Sequence, residues 1–159
     1  LNRWPEKYVV DTIDMKDSTW NEKSFVGYDT VFHVAGIAHS DNGHISEDKS
    51  KLYYKVNTDL TVEVAKKAIV DGAKQFIYIS SAIVYGESGH IGEKKIITKD
   101  TIPEPINAYG DSKLQAEIGI ARLVKDINLN AKNVKHENDS LHFTNNTSEL
   151  NNIYESTYQ

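Results

Sequence analysis

The stretch QFIYISS, residues 75–81, decides the fold class of this chain. Its first six residues, Gln75–Ser80, are nearly continuous in apolar character, which is typical of a strand buried on both faces of a parallel sheet. Ser80 and Ser81 follow where this strand ends. Because function in such sheets sits at the carboxyl ends of the strands, the serine pair is the first candidate site.

Strands and helices alternate on both sides of this stretch. The predicted strands are Tyr8–Ile13 (YVVDTI), Thr30–Val34 (TVFHV) and Gln75–Ser80. The predicted helices are Ser18–Phe25, Lys51–Asp71 and Asn107–Val124. This order predicts an α/β fold in which crossover helices connect the strands of a parallel sheet.

The long helix carries the clearest periodicity. Its apolar positions fall four residues apart on one face, with two more alongside, and Gly72 is a natural stop at its end. These positions are Leu52, Val56, Leu60, Val64 and Ala68, with Ala65 and Ile69 beside them.

Composition limits the class of protein. The 159 residues suffice for one domain, and the net charge of −5 comes without any basic block, so we expect neither a nucleic-acid partner nor an anionic membrane surface. The absence of cysteine excludes disulfides and Cys-ligated zinc. No apolar run approaches the roughly 18 residues of a membrane span, and no signal peptide pattern opens the sequence. We therefore predict a cytoplasmic protein.

A metal site is not predicted. The histidines show neither helical i, i+4 pairing nor a framework of carboxylates. Those considered are His33, His39, His44 and His90.

Tyr109 and Lys113, in the stretch NAYGDSK (107–113), are four residues apart on a predicted helix and so share a face. An ammonium favours the charged form of a nearby phenol, so the pair suits proton transfer with a substrate hydroxyl that Ser81 aligns. Removal of a hydride from the carbon that bears this hydroxyl requires an acceptor, hence a nicotinamide. Taken alone, the spacing favours the simpler interpretation of an exposed helix pair.

Together, SSAIVYG (80–86) and NAYGDSK resemble the extended short-chain dehydrogenase/reductase family, in its nucleotide-sugar epimerase/dehydratase branch with the UDP-glucose 4-epimerases. The resemblance covers residues 8–122 approximately. It implies a Rossmann-like doubly wound sheet. It also implies a catalytic role for Ser81, Tyr109 and Lys113, with Lys113 both stabilising the phenolate and hydrogen-bonding the nicotinamide ribose.

The resemblance also implies a set of residues that bind NAD. Asp14 and Met15 resemble the pair that meets the adenine, residues 34–36 resemble the turn along the ribose and pyrophosphate, and Asn57 resembles the asparagine of the next helix. The residues of that turn are Val34, Ala35 and Gly36.

Several of these residues also have simpler readings. Asp14 also fits a helix cap or a turn. Ala35-Gly36 fits a tight strand exit, Asn57 a polar position on the solvent face of its helix, and Ser80 a cap.

The residues after Ser81 narrow the implied reaction. Dehydratases of this branch place an acidic pair there, whereas Ala82 and Ile83 transfer no proton. The resemblance therefore favours an epimerase or a simple reductase over a dehydratase. In the implied epimerisation of a UDP-linked sugar, tyrosine takes the C4 hydroxyl proton and NAD takes the hydride. The 4-keto sugar then rotates and receives the hydride back on its opposite face. A reductase or dehydratase is the alternative reaction. The implied pathway is synthesis of polysaccharide precursors.

Two departures from the family pattern shape the domain prediction. No Gly-x-x-Gly-x-x-Gly precedes the first predicted strand, so we expect an incomplete dinucleotide-binding domain over 1–126 that lacks the first βαβ phosphate-binding unit. The choice between NAD and NADP therefore stays open. Residues 127–159 are rich in asparagine, and we expect a poorly ordered tail and no substrate domain.

The same departures leave a second class of function open. In this alternative the chain is a catalytically inactive, truncated remnant of the family that serves as a self-association module. In the resembling family a homodimer commonly forms through helices that correspond here to residues 51–71 and 107–124.

Overall fold

The computed structural model of the protein describes residues 8–38, 46–86 and 95–133, with side chains described as far as residue 127. Within these ranges the chain forms two strands, β1 (Thr30–His33) and β2 (Gln75–Tyr78). The helices are α1 (Glu47–Tyr53), α2 (Leu60–Val70) and α3 (Ala108–Asn133). A π-helical segment, Tyr54–Asp59, joins α1 to α2 without a break.

The two strands form a parallel pair, in register from Thr30 opposite Gln75 to His33 opposite Tyr78. Parallel strands need a long crossover connection, which the continuous helix from Glu47 to Val70 supplies. The predicted α/β class with a parallel sheet is thereby confirmed. The sheet described here is a fragment of two strands.

The crossover helix has clear caps at both ends. At its start the hydroxyl oxygen of Ser46 accepts a hydrogen bond from the backbone N–H of Lys49 at 3.4 Å. At its end Gly72 has φ +85°, and the next residue, Ala73, donates its N–H back to the carbonyl of Ala68 at 2.9 Å. The first bond satisfies an N–H of the first turn and the second a carbonyl of the last turn, groups that a helix leaves unpaired at its ends.

The hydrophobic core lies between this helix and the segment before β1. Trp20, Val56, Leu60 and Val64 form its buried centre. The predicted apolar face holds from Val56 onward, but Leu52 is 39% exposed and Tyr53 is fully buried in its place. The π turn explains the difference, because it offsets the residues before it from the 3.6-residue phase of those after it.

The N-terminal predictions need two corrections. Tyr8–Ile13 is not a strand: Val9 is 95% exposed, and neither described strand pairs with this segment. β-Branched residues favour a strand only where a neighbouring ladder exists to pair with. The helix predicted for Ser18–Phe25 is a short 3₁₀ turn, Ser18–Glu22, capped by Asp17.

Element ends also shift. β1 and β2 end one and two residues before the predicted bounds, at His33 and Tyr78. β2 is half-buried rather than covered on both faces, and Phe32 in β1 is 59% exposed.

The last helix is longer than expected. α3 begins one residue after the predicted start and continues through Asn133, past the predicted boundary of the tail at 127. The rest of that predicted tail, 134–159, lies outside the described residues. Across the part of the chain that the structure describes, no helix combines the length and apolar character that crossing a bilayer requires.

Candidate active site

The candidate site lies where β1 and β2 end and where the first turns of α3 pack against them. Tyr109 and Lys113 occupy these first turns, and Gly36 and Ser81 lie just beyond the two strands. The fold therefore brings the candidate residues of the second half of the chain to the strand ends, as the sequence predicts.

Gly36 and Asn57 meet at the end of β1. A Cβ atom at Gly36 would lie 3.1 Å from Oδ1 of Asn57 and 3.5 Å from Nζ of Lys113. Asn57 is fully buried: its Oδ1 accepts from the N–H of Ile37 at 2.8 Å, and its Nδ2 donates to the carbonyl of Ile37 at 3.0 Å. The solvent-face alternative for Asn57 is therefore wrong, and this side chain fixes the turn after β1.

Lys113 reaches from α3 to the end of β2. Its side chain is 6% exposed, and its Nζ donates to the carbonyl of Ile79 at 3.0 Å and lies 4.7 Å from the ring centre of Tyr78. Burial lowers the pKa of Lys113, and the negative charge of Glu117 opposes that effect. The ammonium is thus held at the strand ends with little water around it.

Tyr109 packs against the crossover helix. Its half-buried ring tilts by 54° against the ring of Tyr53, with 5.9 Å between the ring centres. Tyr53 is fully buried at the end of α1, so it offers a fixed surface for the phenol. Contacts of this type orient a ring as well as burying it.

The two serines divide the roles differently from the simplest expectation. Ser81, rather than Ser80, caps the 3₁₀ turn Ala82–Tyr85, with its Oγ accepting from the N–H of Ile83 at 3.4 Å. The buried hydroxyl of Ser80 has no partner in hydrogen-bonding geometry within the described part of the chain. It nevertheless lies close enough to Glu117 to lower the pKa of that carboxyl, although burial raises this pKa more strongly.

Gly110 explains how the turn after Ser81 approaches α3. A Cβ atom at Gly110 would lie 3.0 Å from the carbonyl oxygen of Ile83 and 3.1 Å from Cβ of Pro105. The glycine after Tyr109 therefore allows the first turn of α3 to pack directly on the turn that Ser81 caps.

His33 lies beneath the site, at the end of β1. Its ring is 5% exposed, stacks near Phe76 and Tyr78, and has Nε2 3.0 Å from Oγ1 of Thr61. Burial, with the positive charge of Lys113 as a smaller cause, lowers the pKa of His33 to about 4. His33 is therefore a neutral core residue at physiological pH.

Asp14 and Met15 do not join this group. Asp14 is exposed and its Oδ1 accepts from the N–H of Lys16 at 2.9 Å, which is the turn that the sequence offered as an alternative. Met15 packs against the hydrophobic core. Val34, by contrast, is 61% exposed beside Gly36, so one side of the β1 exit is open.

Two residues of the site were missed by the sequence reasoning. Ser112 is fully buried between Asn57 and Tyr109, and Glu117 lies half-buried near Ser80. Glu117 is four residues after Lys113, so helical spacing alone places both on one face and could have found it. Nothing in the spacing distinguishes Ser112 from an ordinary helix serine.

Metal ligands are not grouped in the described residues: nowhere in 8–38, 46–86 and 95–133 do three His, Asp or Glu side chains converge in a way that could hold an ion. His39, His44 and His90 lie outside these ranges.

A profile of the NAD dependent epimerase/dehydratase family matches residues 3–151, which is most of the chain. The chain belongs to this family. UDP-glucose 4-epimerase of Vibrio cholerae is 38% identical over 117 residues, which cover 71% of this chain and 34% of the relative. This member thus spans about a third of the length of that relative, and about a fifth of the length of another curated relative that it matches.

Solved structures support the fold of this family member. The dTDP-glucose 4,6-dehydratase DesIV of Streptomyces venezuelae, with NAD and TYD bound, superposes with a TM-score of 0.60 at 20% identity, over 72% of this chain and 34% of that one. A UDP-glucuronic acid 4-epimerase of Bacillus cereus in complex with NAD gives 0.52 at 23% identity, over 73% and 32%. At these identities the likeness concerns the Rossmann-like fold alone.

Proposed function

We propose that this chain carries the proton-transfer site of an NAD-dependent nucleotide-sugar 4-epimerase that acts on a UDP-linked sugar. The convergence of Gly36, Asn57 and Lys113 at the strand ends carries the proposal, because it joins the open exit of β1 to the helix that bears Tyr109. The 38% identity to a UDP-glucose 4-epimerase supports the choice of reaction.

The residues present fit the ribose and nicotinamide end of a dinucleotide. Gly36 is exposed and has no side chain, so its backbone is accessible, whereas any Cβ there would lie 3.1 Å from Asn57 Oδ1. Val34, two residues earlier, is also exposed. Lys113 supplies a cation at the same point. Val34, Ala35, Gly36 and Lys113 are therefore the residues that we assign to NAD, and Asn57 acts through Ile37. When bound, NAD accepts and returns a hydride.

In the proposed reaction Tyr109 takes the proton of the sugar C4 hydroxyl. Lys113, one helical turn away, provides the positive charge that favours the phenolate form of a tyrosine. The hydroxyl of Ser81 accepts from Ile83, which leaves its own proton free to donate to the substrate oxygen. Ala82 and Ile83 offer no group that could protonate a leaving hydroxyl, which favours epimerisation over dehydration.

The experiment begins with the thermal unfolding of the purified 159-residue chain with and without millimolar NAD. A ligand that binds only the folded state raises its stability, so we expect the midpoint to rise with NAD concentration. Conversion of UDP-galactose to UDP-glucose, followed by NMR of the anomeric protons, then tests the reaction. If the unfolding midpoint does not change with NAD and no UDP-galactose is converted, the result would support the inactive self-association module instead.

A cytoplasmic location, a homodimer and a role in polysaccharide precursor synthesis stay predictions of the sequence resemblance.

A further inference from the structure

A continuous series of buried and partly buried hydrogen bonds runs from the end of β1 to the first turn of α3. Its two side chains, Asn57 and Ser112, are both 0% exposed. Nδ2 of Asn57 donates to Oγ of Ser112 at 3.1 Å, and Oγ of Ser112 donates to the carbonyl oxygen of Tyr109 at 2.8 Å. The series therefore ends on the backbone of the proposed proton-transfer residue.

The other end of the series is anchored on the strand exit. The side-chain amide of Asn57 bonds both backbone groups of Ile37, at 2.8 and 3.0 Å, so neither residue can shift without breaking two hydrogen bonds. Ile37 directly follows Gly36, where the open backbone faces Lys113. The side chain of Asn57 is thus fixed to the exit of β1.

A second contact fixes Ser112 itself. Oγ1 of Thr58, next to Asn57 in the π-helical segment, donates to the carbonyl oxygen of Ser112 at 2.7 Å. A serine that bonds a carbonyl three residues before it is common in helices and says little alone. Here the same hydroxyl accepts from a buried amide of another helix, which an ordinary helix serine does not do.

We propose that Ser112 is a positioning residue for Tyr109, which ties the first turn of α3 through Asn57 to the β1 exit. The inference rests on the proposed function, since it gives a role to the placement of Tyr109. Replacing Ser112 by alanine leaves one N–H of Asn57 without its buried acceptor and frees the Tyr109 carbonyl from one of its donors. Such unpaired buried groups relax by moving, and here the movable part is the first turn of α3.

The test compares Ser112→Ala with Thr61→Val in the full chain. Thr61 is an equally buried residue whose hydroxyl lies 3.0 Å from His33 Nε2, so both variants remove one buried hydroxyl with little change of shape. NMR of chains with labelled tyrosines measures the Tyr109 ring resonance, assigned with Tyr109→Phe, and the cross-peak between the Tyr53 and Tyr109 rings. Thermal unfolding of each variant gives its stability.

We expect both variants to unfold at a lower temperature, but only Ser112→Ala to shift the Tyr109 resonance and weaken the cross-peak to Tyr53. Ser112→Cys, which keeps the shape with a weaker donor, should give a smaller displacement, and it carries the test if the alanine variant does not fold. Unchanged Tyr109 signals in a folded Ser112 variant, or equal changes in Thr61→Val, would overturn the proposal. These signals are read without NAD or sugar, so failure of the epimerase assay leaves their result standing.

Discussion

Lys113 and Ile79 are joined by a hydrogen bond of 3.0 Å from the Nζ of the lysine to the carbonyl oxygen that directly follows β2. The bond carries the ammonium from α3 to the strand ends, where it is largely removed from water. Burial therefore acts against its charge, and the half-buried Glu117 acts for it.

Replacement of Glu117 by glutamine should lower the pKa of Lys113. The carboxylate raises this pKa against the effect of burial, so its loss leaves the effect of burial unopposed. NMR titration of the ¹⁵N-labelled lysine side chains measures the midpoint directly, with Lys113→Met to assign the signal. Glu63→Gln, at an exposed position of α2, is the matched control and should leave the midpoint in place. An unchanged midpoint in Glu117→Gln would remove Glu117 from this role.

In a preparation that converts a UDP-sugar, Tyr109→Phe should reduce the rate of conversion at least about 100-fold, because the proton-transfer group is lost. The ring that packs on Tyr53 is kept, so the unfolding temperature should change little. Tyr28→Phe, at a side chain that is 64% exposed and that precedes β1, serves as the control. If Tyr109→Phe keeps the full rate, the proton-transfer assignment is wrong.

Gly36→Ala should weaken the stabilisation by NAD. The new Cβ would lie 3.1 Å from Asn57 Oδ1, so this buried side chain must give by a few tenths of an ångström, whereas the 3.5 Å to Lys113 Nζ is an ordinary contact. We expect a loss of stability of about 1 kcal/mol and a smaller rise of the unfolding midpoint with NAD.

Gly72→Ala provides the comparison for Gly36. Its backbone has φ +85° with no atom within 4 Å of a new Cβ, so alanine should cost about 1 kcal/mol through backbone strain alone. The rise with NAD should then be unaffected. Equal NAD effects in the two variants would contradict the assignment of Gly36.

His33→Gln should flatten the dependence of stability on pH between 4 and 6.5. The pKa of His33 falls to about 4 in the folded chain from 6.5, so the unfolded state binds more protons in this window. The stabilisation is complete above pH 6.5, is lost as the pH falls toward 4, and amounts to about 3 kcal/mol. Urea unfolding across this pH range measures the free energy of unfolding of wild type and variant. The difference between the two cancels the contributions of the other titrating groups. A parallel pair of curves would show that His33 is not the source.

The order of elements and the helix that carries Tyr109 could be predicted because they depend on local patterns. Alternation of apolar strands with a periodic helix identifies a parallel β-α-β unit, and Gly72 marks the end of its helix. The strand predicted at Tyr8–Ile13 was wrong for the opposite reason. A strand forms only if another strand pairs with it, and the sequence of the segment alone does not determine that pairing.

The candidate site was predictable in part. Family motifs singled out Tyr109 and Lys113, and the fold places them at the strand ends. The buried connections between Asn57, Ser112 and Ile37 depend on which faces of two helices meet, and a single sequence does not encode that in any spacing. Burial of His33 likewise follows from the packing of Thr61 and Phe76 around it.

The π-helical segment Tyr54–Asp59 sets a strict rule on chain length within the crossover helix. A wide turn of this kind holds one residue more than an α-helical turn. Deletion of one residue here would restore regular winding and turn everything before it by about 100° relative to α2. Tyr53 would then leave Tyr109, although every remaining side chain kept its identity. In this helix, therefore, the count of residues is as much a part of the site as their chemistry.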